Sequence, residues 1–159
     1  MKSLLLSFMA LVLLLPQTVQ SQEARFKVRV LLASKQGERI DPQIPDGIGK
    51  YLKKTFGARY SSFQLLDSRV MKVKLDQTGE LTLPDQSVLK LRFRGLPEDF
   101  VKLTMEIKDL RTTIRIKNGG LFFQAGHRYK NGILILAIGA QTEKPAAKEP
   151  EPKPGSFTN

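Results

Sequence analysis

The chain has 159 residues, no cysteine, no tryptophan, one histidine and a formal net charge of +11. The lack of cysteine excludes a disulfide scaffold, a thiolate nucleophile and a lipid-modified N-terminal cysteine. A single histidine, His127, excludes a multi-histidine metal centre.

Lys2 opens a nearly unbroken apolar run from Leu4 to Leu15, which Pro16 ends. Val19-Gln20-Ser21 then places small residues where a signal peptidase reads. The run is short for a bilayer span, so residues 1–21 are expected to be a signal peptide, with the exported chain starting at Gln22 and no transmembrane segment left after cleavage. The missing cysteines and the lack of an Asn-x-Ser/Thr acceptor favour a bacterial envelope, with a periplasmic, surface or secreted location. Residues 22–140 carry 22 basic and 12 acidic side chains, so the basic excess belongs to the expected folded body.

Phe26, Val28, Val30 and Leu32 alternate with Arg25, Lys27 and Arg29, the period-two signature of a half-buried strand. Asp41-Pro42 reads as a helix entry, with Asp41 as cap. Ile44, Ile48, Tyr51, Leu52 and Phe56 follow at helical spacing, and Gly57 is the stop. Gly47 and Gly49 weaken the first half, which moves the firm start towards Ile48. Residues 60–66 read as a second strand, and Met71, Val73 and Leu75 alternate with Lys72 and Lys74 as a third. Leu81 and Leu83 make a short strand before Pro84. Leu89, Leu91 and Phe93 alternate with Lys90, Arg92 and Arg94; Val101 to Ile107 alternate with Lys102 to Lys108; Ile114 and Ile116 alternate with Arg115 and Lys117.

Asp76-Gln77-Thr78-Gly79, Asp85-Gln86-Ser87 and Asn118-Gly119-Gly120 read as hairpin turns, and Gly95 to Asp99 as a longer connection. Residues 133–138 are apolar throughout, which predicts a central strand covered on both faces or an edge covered by a partner. Residues 141–159, with four prolines among lysines and glutamates, read as a disordered tail. The expected fold is mainly β (α+β with one helix between the first two strands): one domain over 22–140, sandwich-like or a strongly twisted antiparallel sheet.

Catalytic signals are poor. No serine sits in a Gly-x-Ser-x-Gly elbow, and Gly47-Ile48-Gly49-Lys50 is too short for a phosphate loop. Glu98-Asp99 reads as a solvated turn, no Asp-x-Asp-x-Asp calcium spacing exists, and His127 reads as a solvated residue in a loop over 125–132. No enzyme, cofactor or metal is therefore expected.

The charge pattern is more telling. Twelve cations stand opposite the apolar positions of the strands: Arg25, Lys27, Arg29, Lys72, Lys74, Lys90, Arg92, Arg94, Lys102, Lys108, Arg115 and Lys117. One anion, Glu106, stands with them, and the other carboxylates of the body fall in turns, at strand ends or in the helical segment. Such a face either solvates the sheet and guards its edges or binds an anionic partner. On the second reading the candidate residues are Lys72, Lys74, Lys90, Arg92, Arg94, Arg115 and Lys117. The fitting partners are lipopolysaccharide, lipid headgroups, acidic polysaccharide or an acidic protein. Nucleic acid fits less well, because Phe26 and Phe93 fall on the apolar side rather than among the cations. The alternative is an assembly or scaffold subunit of an envelope complex that pairs through the apolar final strand.

Leu32-Ala33-Ser34, Ile40-Asp41-Pro42, residues 60–66, and Gly119-Gly120 followed by residues 132–138 resemble small, largely uncharacterised exported β-rich proteins of Gram-negative, deltaproteobacterial-type bacteria. The closing Gly-Gly, loop and apolar strand is also similar to the end of the secretin pore domain. These resemblances imply export and envelope assembly, and bring no catalytic residues.

Overall fold

The computed structural model describes residues 22–143, so the expected signal peptide and the tail beyond Glu143 lie outside the described residues. Eight strands and one helix follow in order: β1 (Glu23–Ser34), α1 (Asp46–Phe56), β2 (Ser62–Lys74), β3 (Thr78–Thr82), β4 (Val88–Phe93), β5 (Phe100–Ile107), β6 (Leu110–Lys117), β7 (Leu121–Tyr129) and β8 (Gly132–Thr142). A 3-10 turn, Pro97–Asp99, joins β4 to β5. The strands form two antiparallel sheets of four, β2-β1-β8-β7 (sheet A) and β3-β4-β5-β6 (sheet B).

The alternating apolar residues of the two sheets face each other and make the main core. Ala24, Phe26, Val28 and Val30 of β1, with Leu134, Leu136 and Ile138 of β8, meet Leu89, Leu91, Phe93, Val101, Leu103, Met105 and Ile107 of sheet B. Phe26 and Phe93 touch edge-to-face across the sandwich, with ring centroids 6.5 Å apart.

A second core lies on the other side of sheet A, where α1 packs Ile48 and Leu52 over Leu31, Ala33, Phe63, Ile135 and Ala137. This layer explains why alternation stops midway along β1: from Leu31 to Ser34 both faces are covered. It also settles the apolar run over 133–138. β8 pairs with β1 on one side and β7 on the other, so the run is a central strand. The strand continues through Gln141 and buried Thr142, two residues beyond the expected domain end.

Several expectations need correction. The helix starts at Asp46, and Asp41 does not cap it. Its carboxylate instead accepts the backbone N–H groups of Gln43 (2.9 Å) and Leu65 (3.1 Å), tying the loop before α1 to β2. Tyr51, expected in the helix core, is exposed. The two strands read over 60–66 and 71–75 are one long strand, β2, in which a bulge shifts the register between Val30/Asp67 and Leu31/Leu65. A bulge adds one residue and reverses the phase of the alternation, so the sequence pattern looks interrupted. The loop over 125–132 is likewise mostly strand β7, with a bulge at Gly126, whose φ of 130° suits glycine. The segments 76–79 and 118–120 are not hairpins within a sheet: each carries the chain from one sheet to the other. At the second crossing, Asn118 Oδ1 accepts the backbone N–H of Thr142 at 2.9 Å, fastening the end of β8 to the corner.

Gly132 tests the packing at the β7–β8 turn. A Cβ there would run into the carbonyl oxygen of Ala33 on the neighbouring strand. Gly132→Ala is expected to cost about 2–3 kcal/mol, because backbone cannot yield cheaply. Gly47→Ala, which lies in α1 and meets nothing within 4 Å, serves as the control and should hold or gain up to about 1 kcal/mol. Equal denaturation midpoints for the two variants would refute this account.

Candidate functional site

The outward faces of the two sheets carry the strand cations, on opposite sides of the sandwich. Lys72 and Lys74 lie on sheet A, whereas Lys90, Arg92, Arg94, Arg115 and Lys117 lie on sheet B. The seven candidate residues therefore make two sites rather than one.

On sheet B the cross-strand register sorts the outward side chains into rows. One row runs Glu80–Lys90–Glu106–Arg111 and alternates in sign. Lys90 Nζ is 3.1 Å from Glu80, and Arg111 Nε is 3.2 Å from Glu106. The next row, Thr78–Arg92–Thr104–Thr113, has one charge. Beyond it, Arg94 reaches Asp76 at 3.0 Å, and Arg115 reaches Glu98 at 3.3 Å. Arg115 also lies over the ring of Phe100, 5.5 Å from its centroid.

The turn carboxylates thus fold back over the strands, and the apparent twelve-to-one imbalance is largely reduced on this face. Seven cations (Lys90, Arg92, Arg94, Lys102, Arg111, Arg115 and Lys117) meet four carboxylates (Asp76, Glu80, Glu98 and Glu106). Among the described residues Arg92, Lys102 and Lys117 have no ion-pair partner. Arg92, Arg94, Lys102 and Arg111 share a shallow open groove with Thr104, Thr112 and Thr113.

At the β3–β4 turn, Lys108 Nζ is 2.7 Å from Asp85, whose side chain is only 8% exposed. Burial works to raise the Asp85 pKa. Hydrogen bonds from the Lys108 ammonium and from the Ser87 hydroxyl and backbone N–H, together with the Lys108 charge, outweigh it and hold the pKa at about 2. A depressed carboxyl pKa contributes stability that is present above the ordinary value of 3.8 and lost as pH falls towards 2. Lys108 is half solvent-exposed, so the contribution is about 1–2 kcal/mol. Asp85→Asn is expected to lose that much in denaturant unfolding at pH 7 and nothing near pH 2. A deficit independent of pH would contradict this.

Sheet A presents a different surface. Helix α1 covers one end of its outer face and leaves the other open. The open part carries Arg25, Lys27 and Arg29 on β1 and Lys72 and Lys74 on β2. Glu23, opposite Lys74, is the one carboxylate among the outward side chains of these strand stretches, and none of the five cations makes an ion pair among the described residues. Arg25 stands directly across from Lys72, an arrangement that opposes folding.

Apolar groups share this face. Val70, opposite Lys27, is 55% exposed, and Leu121 on β7 is 46% exposed. Tyr51 of α1 stacks on Phe123 of β7, with ring centroids 4.2 Å apart. Sequence reasoning missed Val70 and Leu121 as surface features. The available signal was Val70 standing at a polar phase of β2, hidden by the bulge.

His127 lies on β7 opposite Leu134 and is partly buried, not in a solvated loop. Among the described residues no three His, Cys, Asp or Glu side chains converge as metal donors. No helix among them is long and apolar enough to cross a membrane. Comparison with protein-family models, curated proteins and solved structures gives no match, so the functional argument rests on the chemistry of the two faces.

Proposed function

We propose that this chain is a non-enzymatic, exported envelope protein that holds an anionic partner on the open face of sheet A. The observation that carries the reading is the set of five cations, Arg25, Lys27, Arg29, Lys72 and Lys74, without carboxylate partners among the described residues. A face kept only for solvation intersperses both signs, as sheet B does in its Glu80–Lys90–Glu106–Arg111 row. Here Arg25 faces Lys72 directly across the strands, a cost that an anionic partner offsets. The apolar run from Leu4 to Leu15 and the small residues before Gln22 support export. Lipopolysaccharide, lipid headgroups, acidic polysaccharide and an acidic protein all supply the required charge.

The alternative, an assembly subunit that donates its final strand, finds no free edge on β8, which is hydrogen-bonded on both sides.

Heparin, as a soluble polyanion, tests the charge reading directly. Binding is expected at low salt and should weaken steadily as sodium chloride rises, because exposed charges are screened over about 10 Å at 0.1 M. No binding at low salt, or binding indifferent to salt, would remove this reading.

A further inference from the structure

We infer, resting on the reading just given, that the anionic partner is a bilayer surface bearing anionic headgroups, met flat by the open face of sheet A. The face combines two features that a bilayer interface uses together. The first is the unpaired cations. The second is exposed apolar side chains set among them rather than apart.

The cross-strand register makes this concrete. One row across sheet A reads Val70–Lys27–Gly139–Leu121, with apolar groups at both ends. Gly139 places no side chain between Lys27 and Leu121, and the Leu121 Cδ2 would lie 3.5 Å from a Cβ there. The flanking rows run Lys72–Arg25–Gln141 and Ser68–Arg29–Ala137–Phe123, the last ending at the Tyr51–Phe123 stack. The row spans three strand spacings, about 14 Å.

A bilayer interface accepts every one of these groups. Lysine and arginine lay their alkyl stems on the surface with their charges among the phosphates, while leucine, valine and tyrosine enter the acyl boundary. An acidic polysaccharide gives Val70 and Leu121 nothing to bury against. Protein–protein interfaces are depleted in lysine at their centres, whereas Lys27 lies between the two apolar ends of the row. Basic residues near an anionic leaflet contribute additively, so five of them need only a few exposed apolar side chains to hold the protein there.

The chain has no tryptophan, so one introduced tryptophan reports its own surroundings. Leu121→Trp places it on the open face of sheet A, and Val88→Trp places it on sheet B. Each protein is mixed with vesicles of phosphatidylcholine alone or with roughly a third phosphatidylglycerol, a level that gives an anionic surface potential. The expected result is a blue shift for Leu121→Trp with the anionic vesicles only, reversed by salt, and no shift for Val88→Trp. In the parent background, Val70→Ser with Leu121→Ser should lower vesicle partitioning about tenfold or more while leaving heparin binding unchanged. Salt-sensitive heparin binding with no vesicle partitioning would overturn the bilayer inference and leave the anionic-partner reading standing. Equal shifts at both tryptophans would overturn the assignment to this face. Binding to neither heparin nor vesicles would defeat both.

Discussion

Phe26→Ala is expected to lower the unfolding free energy by about 3–5 kcal/mol. Phe26 is fully buried in the middle of the sandwich and makes the edge contact with Phe93 that joins the two sheets. Its cross-strand neighbours are Met71 and Ala140, and Ala24 precedes it on the same face. Two of these three are alanines, too short to close the space a missing ring leaves. The cavity should therefore persist, which places the cost at the upper end of such substitutions. For a folded unit of this size the melting temperature should fall by roughly 10–20 °C. Phe100→Ala is the comparison, because that ring is 38% exposed and leans on Arg115. It should cost about 1 kcal/mol or less. Thermal melts followed by circular dichroism decide the matter, and similar losses for both variants would mean that Phe26 does not bridge the sheets.

The largest functional effect is expected from Arg25→Gln, Lys27→Gln and Arg29→Gln combined. Each cation near an anionic surface contributes about 1 kcal/mol, so the triple variant should bind anionic vesicles about a hundredfold more weakly. Its stability should hold or rise by a few tenths of a kcal/mol, since Arg25 no longer opposes Lys72. Lys90→Gln, Arg92→Gln and Arg94→Gln together remove the same charge from the other side of the molecule. Two of those cations already neutralise Glu80 and Asp76, so their loss should weaken binding far less. The two variants have equal net charge. If they bind equally, the protein's overall charge, and not the β1–β2 face, attracts the partner.

The mainly β fold, the helix between the first two strands and the inward or outward direction of most strand residues were legible in the sequence. Leu89, Leu91 and Phe93 are buried and Lys90, Arg92 and Arg94 exposed, as their alternation requires. The illegible parts cluster at the bulges in β2 and β7. One inserted residue reverses the alternation there, so one strand reads as two around Leu66, and another reads as a loop around Gly126. The placement of the basic residues was legible one strand at a time and no further.

What the sequence determined alone is local: which side chains alternate, where the chain turns, and that an apolar run such as 133–138 must be covered. Which strands become neighbours was left to the tertiary structure. Strand pairing joins residues far apart in the chain, and its register is set by the shared core rather than by the polar side chains. That pairing put Lys72 and Lys74 beside Arg25 and Lys27, on the opposite side of the sandwich from Arg92. It also brought Asp76 over Arg94, 18 residues away, and Glu98 over Arg115, 17 residues away. Sheet B was neutralised in large part by its own turns, and sheet A was not. A charge on a strand is written in the sequence, but whether it has a partner depends on contacts made across the fold.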